Sequence, residues 1–266
     1  MASSNFVLIL IISLLCFLNN PLRCKAGNVL YSIGGMYPLE FLKYQGTLLT
    51  LQEDCCLAIS QNGSAIVWEK HINASICELT LLKTGELLML GRSAEPLWVS
   101  TKGGPPGEYV LVLTEMHMAV YGPSRWANSP SLRMPLSPTD VDMSAKSILF
   151  PEQILSSGKS IKNGNWELKM QDDCNLVLSN FGNGIWSSKT SKGEAAACHL
   201  KMELTGDAVI YDESGDQIWS SNTSGVGHSV LVLRNDGKLV IYGPVIWTTG
   251  KLLEKHSEQS ALVHPF

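Results

Sequence analysis

Met170-Gln171-Asp172-Asp173-Cys174-Asn175-Leu176-Val177-Leu178-Ser179 is written in period two. Met170, Asp172, Cys174, Leu176 and Leu178 alternate with Gln171, Asp173, Asn175, Val177 and Ser179. This alternation predicts a β-strand over 170–179 with one buried and one wet face. Further along, Leu231-Val232-Leu233 and Leu239-Val240-Ile241-Tyr242 flank Asn235-Asp236-Gly237. That is a hairpin with a favourable Asp-Gly turn. Asn62-Gly63 and Thr205-Gly206-Asp207 serve similarly. No long helical periodicity occurs, so the class is all-β.

The pattern repeats. Trp68, Trp98 and Trp126 match Trp186, Trp219 and Trp247 at a nearly constant offset. Cys55 and Cys77 keep that offset to Cys174 and Cys198, as does Tyr121-Gly122-Pro123 to Tyr242-Gly243-Pro244. Two tandem domains of three subunits each follow, over 27–127 and 148–250, with pseudo-threefold symmetry. Residues 128–147, with Pro130, Pro135 and Pro138, read as a linker. Residues 251–266 are polar and unpatterned, a C-terminal tail or propeptide. At the other end, Phe6 to Leu18 is an apolar run too short to span a bilayer, and Cys24-Lys25-Ala26 ends in a small residue. Residues 1–26 therefore read as a signal peptide, and the chain as secreted, extracellular or vacuolar through the secretory pathway.

The net charge is only −4 over 266 residues, and Lys and Arg are scattered, which speaks against a nucleic-acid partner. No second apolar run is long enough for a membrane span. Past the signal, Cys55, Cys56, Cys77, Cys174 and Cys198 remain. They form no CxxC pair and sit near no His-rich cluster, so a metal site is not expected and disulfides are. Five is odd, which leaves one thiol over.

The wet face of 170–179 carries the chemistry. Gln171, Asp173, Asn175 and Val177 follow at i, i+2 spacing, roughly 6.6 Å per step along a strand, a span that suits one sugar ring. Two carboxamides donate and accept while the carboxylate only accepts, so the set can satisfy vicinal hydroxyls. Val177 offers an apolar wall for ring C–H groups. By composition alone, a solvated polar strand face accounts for the same residues.

These residues resemble the Gln-x-Asp-x-Asn-x-Val-x-Tyr motif of monocot bulb-type (snowdrop-like) mannose-binding lectins. The likeness runs from Asn28-Val29-Leu30-Tyr31-Ser32 to Trp247 and takes in the tryptophans, the cysteines and Tyr-Gly-Pro. It implies two β-prism II domains, each of three four-stranded sheets around a tryptophan-lined axis. It also implies mannose or high-mannose glycans as partners, no cofactor or metal, a role in plant defence and, since members exchange strands to dimerise, a homo-oligomer. The family roles carry over to Asp173 and Asn175 on the axial 2-hydroxyl and Gln171 on the 3-hydroxyl. Ser179 stands where the family has the Tyr of the 4-hydroxyl, a departure that should weaken binding.

The other subunits depart further. The first keeps Gln52 and Asp54, but Cys56, Ala58 and Ser60 replace Asn, Val and Tyr. Leu82, Thr84, Glu86, Leu88 and Leu90 replace the second motif entirely. Thr114 to Tyr121 is one residue short, which on a strand would shift side chains to the opposite face. Glu203, Thr205 and Asp207 keep Val209 and Tyr211; Arg234 and Lys238 keep Asp236, Val240 and Tyr242. The first domain is thus expected to be sugar-dead, with the main site in the second.

The resemblance also implies Cys55–Cys77 and Cys174–Cys198 disulfides, leaving Cys56. On an alternating strand Cys56 points away from Cys55, so it should lie outward in the emptied groove, capped by a small thiol or bridging two chains; the alternative is a semi-buried, inert cysteine packed under a neighbouring loop. Asn62, Asn73 and Asn222 head glycosylation tripeptides. An enzyme is not expected. The histidines are scattered without HExxH, no GxSxG elbow occurs, and Glu203 with Asp207 read as ordinary carboxylates rather than a glycosidase pair. The competing reading is a sugar-dead storage, taste-active or protein-binding derivative of the same fold.

Overall fold

The computed structural model describes residues 27–63, 65–100, 103–128, 147–193 and 196–250. The expected signal peptide, most of the expected linker and the expected tail lie outside the described residues. Every element is a strand, and the strands form six four-stranded antiparallel sheets. Among the described residues no helix is long and apolar enough to cross a membrane.

Three sheets enclose the first lobe. One joins β2 (Gly35–Met36), β7 (Glu78–Leu81), β8 (Leu87–Leu90) and β9 (Pro96–Val99). The next joins β3 (Phe41–Tyr44), β4 (Thr47–Leu51), β5 (Leu57–Gln61) and β6 (Ala65–Lys70). The third joins β1 (Val29–Tyr31), β10 (Val110–Leu113), β11 (Met118–Tyr121) and, from the far end of the chain, β24 (Val245–Thr248). In the second lobe, β14 (Ile154–Ser156), β19 (His199–Met202), β20 (Ala208–Tyr211) and β21 (Gln217–Ser220) make one sheet. A second has β15 (Ser160–Asn163), β16 (Trp166–Met170), β17 (Leu176–Asn180) and β18 (Asn183–Ser187). The last has β13 (Ile148–Leu149), β22 (Val230–Leu233), β23 (Leu239–Tyr242) and β12 (Ser124–Ala127).

The lobes therefore exchange strands. β12 pairs with β23 although it follows β11 in the chain, and β24 pairs with β11 although it follows β23. The crossing segments bond to each other, with Gly122 N donating to Pro244 O at 3.0 Å and Gly243 N to Pro123 O at 3.4 Å. Each crossing strand delivers a tryptophan. Trp126 meets Trp186 and Trp219 edge to face at 5.7 and 5.9 Å, and those two meet at 6.2 Å, a near-equilateral triangle on the second lobe's axis. Trp247 meets Trp98 at 5.9 Å and packs with Trp68 on the core of the first lobe. Edge-to-face pairs of this kind add about 0.5–1.5 kcal/mol beyond their buried area. The third tryptophan of each half of the sequence thus belongs to the other half's core. If the chain is cut by an engineered protease site between 129 and 146, the two fragments should still elute as one particle without denaturant. Separate elution would contradict the exchange.

Between the lobes, the outer faces of the two exchanged sheets press together. Val110, Val112, Ala119 and Tyr121 from one meet Val230, Val232, Val240 and Tyr242 from the other, with Ile148, Tyr31 and Phe150 around them. Arg234 seals the edge. It makes two bonds to Asp236, Nε to Oδ1 at 3.1 Å and Nη2 to Oδ2 at 2.8 Å, and Nη1 donates to Tyr242 Oη at 3.1 Å. Its guanidinium carbon also lies 4.8 Å from the ring centre of Tyr31. Burial pushes the Tyr121 and Tyr242 hydroxyls up to about 12.

Each sheet turns between its two central strands in one way. In five of six subunits a five-residue turn reaches positive φ at its fourth residue: Cys55 at 64°, Gly85 at 80°, Cys174 at 71°, Gly206 at 94° and Gly237 at 78°. Glycine takes that conformation without penalty, and at the other two places a half-cystine holds it. The expected strand over 170–179 is thereby corrected. β16 ends at Met170, a turn covers 171–175, and β17 starts at Leu176, with Met170 paired to Leu176. Asp172 is exposed on the turn rather than buried. The short subunit is corrected too. Its missing residue falls in the turn, where Thr114 N donates to His117 O at 2.8 Å, and Leu113 still pairs with Met118. No side chain changes face: Met118 and Val120 stay in the first core, while Ala119 and Tyr121 stay on the interface.

Candidate functional site

The turn 171–175 builds the site. Gln171 N donates to Asn175 O at 2.9 Å and Cys174 N to Gln171 O at 3.2 Å, so the backbone closes on itself. Cys174 dips into the core and bonds Cys198, with Cα atoms 5.3 Å apart. This anchors the turn from beneath and leaves Gln171, Asp173 and Asn175 half-buried above it. Val177 and Ser179 continue the same face along β17, while Leu176 and Leu178 enter the core.

Asn175 is locked from one side only. Its Oδ1 accepts from Ser188 Oγ at 3.3 Å, Lys189 N at 3.1 Å and Thr190 N at 3.4 Å. Its NH2 has no acceptor among the described residues, nor does the Gln171 carboxamide bond to any of them. An amide so pinned presents its donors in a fixed direction, with the orienting cost met in folding. Asp173 is held alongside: Oδ1 accepts from Asn175 N at 3.1 Å and Oδ2 from Ser191 Oγ at 2.6 Å. The Ser191 bond, then the Asn175 amide, hold its carboxyl below the usual carboxylate range against the opposing effect of burial. The acceptor therefore remains ionised in mildly acid solution. Affinity for a sugar at this site should be flat from about pH 7 to 5 and fall only at more acid pH. Calorimetry across that range checks it, and a midpoint near pH 6 would contradict it.

Ser188, Thr190 and Ser191 are missed when the motif is read alone. Only Ser188 carries a signal, as the residue two past a repeated tryptophan. In Trp98-Val99-Ser100, Trp186-Ser187-Ser188 and Trp219-Ser220-Ser221, the hydroxyl accepts from the first NH of the neighbouring strand: Leu87 N at 3.0 Å, Leu176 N at 2.9 Å and Ala208 N at 3.0 Å. Thr249 does this for Met118 N at 3.1 Å and Asn128 for Leu239 N at 3.0 Å. Only after Trp68 does a Lys, Lys70, stand there.

The other five positions differ for physical reasons. At 203–211, Asp207 takes the place of Asn175 and spends both oxygens on hydroxyls: Ser221 on Oδ1 and Ser220 on Oδ2, each at 2.6 Å. Glu203 is held by Lys201 at 3.2 Å and by the Tyr211 hydroxyl at 3.1 Å. At 234–242 the retained Asp236 and Tyr242 serve Arg234 and the lobe interface, and Tyr121 is buried there as well. At 82–90, Thr84 donates to Glu86 at 2.7 Å. At 52–60 the turn is the same, with Asp54 Oδ1 accepting from Cys56 N at 3.0 Å and Cys55 bonded to Cys77. Gln52 and Asp54 are thus placed like Gln171 and Asp173, but a thiol replaces the amide.

Cys56 is free, as the count requires, but it is not exposed as expected: only 2% of it is accessible. Burial, then Asp54 and Glu69, push its thiol up to about 11. It lies outside the core cluster of the first lobe yet is buried. It also has company the sequence did not reveal, since Glu69 and His71 lie against it. Asn62, Asn73 and Asn222 are all exposed.

No protein-family model matches the chain. It is 32% identical to mannose-specific lectin 2 of Crocus vernus over 258 residues, 94% of this chain and 97% of that protein. It is 36% identical to mannose-specific lectin 2 of Colocasia esculenta over 212 residues, 76% of this chain and 77% of that protein. Its fold matches the fetuin-binding Scilla campanulata agglutinin, a two-domain lectin, with a TM-score of 0.77 at 26% identity, covering 84% of this chain and all of that one. With full-length likeness in sequence and six matching sheets in structure, the chain belongs to the monocot mannose-specific lectin family.

Proposed function

We propose that this chain binds mannose-like sugars without a metal, through one site on the turn 171–175 and strand β17. The observation that carries the reading is the one-sided locking of Asn175, whose pinned Oδ1 leaves an oriented NH2 beside an ionised Asp173 and the Gln171 carboxamide, which has no partner among the described residues. A donor pair, an acceptor and an amide carrying both suit adjacent hydroxyls that each donate and accept. Val177 flanks them as the apolar wall. The names of the Crocus and Colocasia relatives support mannose as the sugar.

The protein acts as a binder, not a catalyst. Glu203 and Asp207, the one carboxylate pair on a shared sheet that invited a glycosidase reading, are each committed to neighbours. Secretion, glycosylation at the exposed Asn62, Asn73 and Asn222, and a role in defence complete the reading. Strand exchange of the kind that joins family members into dimers is spent here inside one chain, on β12 and β24.

Retention on mannan-agarose, elution by methyl-mannoside and indifference to EDTA test the proposal. Failure to be retained would leave the sugar-dead derivative of the fold. The site also has a place for improvement. Ser179 spends its hydroxyl on Glu167 O at 3.4 Å, and Gly184 stands opposite it on β18, so a larger side chain has lateral room. Ser179→Tyr adds a phenol at the end of the motif and should tighten methyl-mannoside by about 0.5–1.5 kcal/mol, one net hydrogen bond. Calorimetry showing equal or weaker binding would contradict that geometry.

A further inference from the structure

The emptied groove of the first lobe holds a different donor set. Cys56 stands where the second lobe has Asn175. Leu57 pairs with Lys70 and Ala58 with Glu69 on the β5–β6 ladder. One step further, Cys56 falls opposite His71, and Glu69 and His71 are two residues apart on the same outer face. The Cys56 Sγ, a Glu69 oxygen and a His71 ring nitrogen all lie within 4.8 Å of one another. His71 Nε2 is 3.1 Å from Glu69 Oε1.

We propose that Cys56, Glu69 and His71 form a binding site for a divalent transition-metal cation of the zinc type. Thiolate, imidazole and carboxylate are the three ligand classes zinc takes, at roughly 2.3, 2.0–2.1 and 2.0–2.2 Å. Around a tetrahedral ion such bonds set the donors about 3.3–3.6 Å apart. The Glu69–His71 spacing is already close to that, and the third donor is near enough for small side-chain rotations to complete the triangle. The side chains that would rotate are the free ones: His71 is 64% and Glu69 41% exposed, while Cys56 is fixed below them. The fourth position faces solvent and takes water. Asp54, whose carboxylate acts on the same thiol, adds negative charge beside the site. On binding, the thiol gives its proton to solvent and the imidazole coordinates as the neutral ring.

The second lobe shows that this is a substitution and not a general property of the sheet. There Ser187 stands where Glu69 does, paired with Val177 as Glu69 is with Ala58, and Asn175 stands where Cys56 does. The capping side chain two past the tryptophan, a hydroxyl in four of the other subunits and the Asn128 amide in the fifth, is Lys70 here. The position keeps Gln52 and Asp54 but has lost the amide and the hydroxyl of the sugar lock, and holds three metal-ligand side chains instead. The site lies in the other lobe from the proposed sugar site, so the two readings stand or fall separately.

Cobalt(II) chloride titrated into the reduced-thiol form of the intact chain, both disulfides in place, is the direct test. Binding of one ion per chain with a thiolate-to-cobalt charge-transfer band, discharged by zinc chloride, is the expected result. Cys56→Ser should abolish the band. His71→Ala and Glu69→Gln, at exposed positions that leave folding unaffected, should each weaken cobalt at least roughly tenfold. Absence of the band, its persistence in Cys56→Ser, or unchanged affinity in both His71→Ala and Glu69→Gln would overturn the site.

Discussion

Asn175→Ala is expected to weaken methyl-mannoside binding by about 1–3 kcal/mol, roughly 5- to 150-fold. The substitution removes the oriented NH2, and it also strips the acceptor from Ser188 Oγ, Lys189 N and Thr190 N. Loss of binding in that variant alone would therefore mix recognition with local structure. Asn175→Asp separates them. It keeps an oxygen for the three donors and turns the outward NH2 into a second carboxylate oxygen beside Asp173, so melting should change little while binding falls by at least a similar amount. The chain itself contains this experiment at Asp207, whose second oxygen is turned to Ser220. Full affinity in Asn175→Asp would show that the amide donors do not hold the sugar.

The second large effect is on stability. Trp247→Ala is expected to cost about 3 kcal/mol, the low end for a tryptophan truncation because the ring is only partly buried. The loss should fall on the first lobe, although Trp247 lies near the end of the second lobe's sequence, and the mannoside affinity of the second lobe should hardly change. Trp126→Ala should do the reverse, loosening the triangle with Trp186 and Trp219 and the sugar site on the same lobe. Urea unfolding followed by tryptophan fluorescence and sugar binding tracks both. If Trp247→Ala disturbed the second lobe first, or cost less than about 1 kcal/mol, the assignment of that strand would be wrong.

These two results probe features with different visibility in the sequence. The repeat of tryptophans, cysteines and Tyr-Gly-Pro is local chemistry at a constant offset, so six subunits and an all-β fold could be read directly. The exchange could not. Ser124–Ala127 and Val245–Thr248 are equivalent strands, either of which satisfies the same ladder and the same tryptophan pocket, and no local preference distinguishes them. What differs is the path of the chain past Gly122-Pro123 and Gly243-Pro244, a property of the whole molecule.

The binding motif was legible as a set of residues but not as a shape. Alternation over 170–179 reads as a strand because a turn with a positive-φ cysteine also points successive side chains apart. Two polar positions looked like decayed sugar sites and are structural: Arg234 with Asp236 and Tyr242, and Tyr121, belong to the lobe interface. Cys56 misled in another way. Strand alternation gave its direction correctly, but exposure depends on what lies across the ladder, and Glu69 and His71 come from beyond a hairpin. A scan for closely spaced ligands in sequence misses donors brought together by cross-strand pairing.

Calorimetric stoichiometry tests the central claim most directly. Methyl-mannoside titrated into the intact chain should bind at one site per chain, with no change in EDTA and with loss of that site in Asn175→Asp. Two or more equivalent sites per chain, or one site that survives the substitution, would contradict the assignment of sugar binding to the turn 171–175.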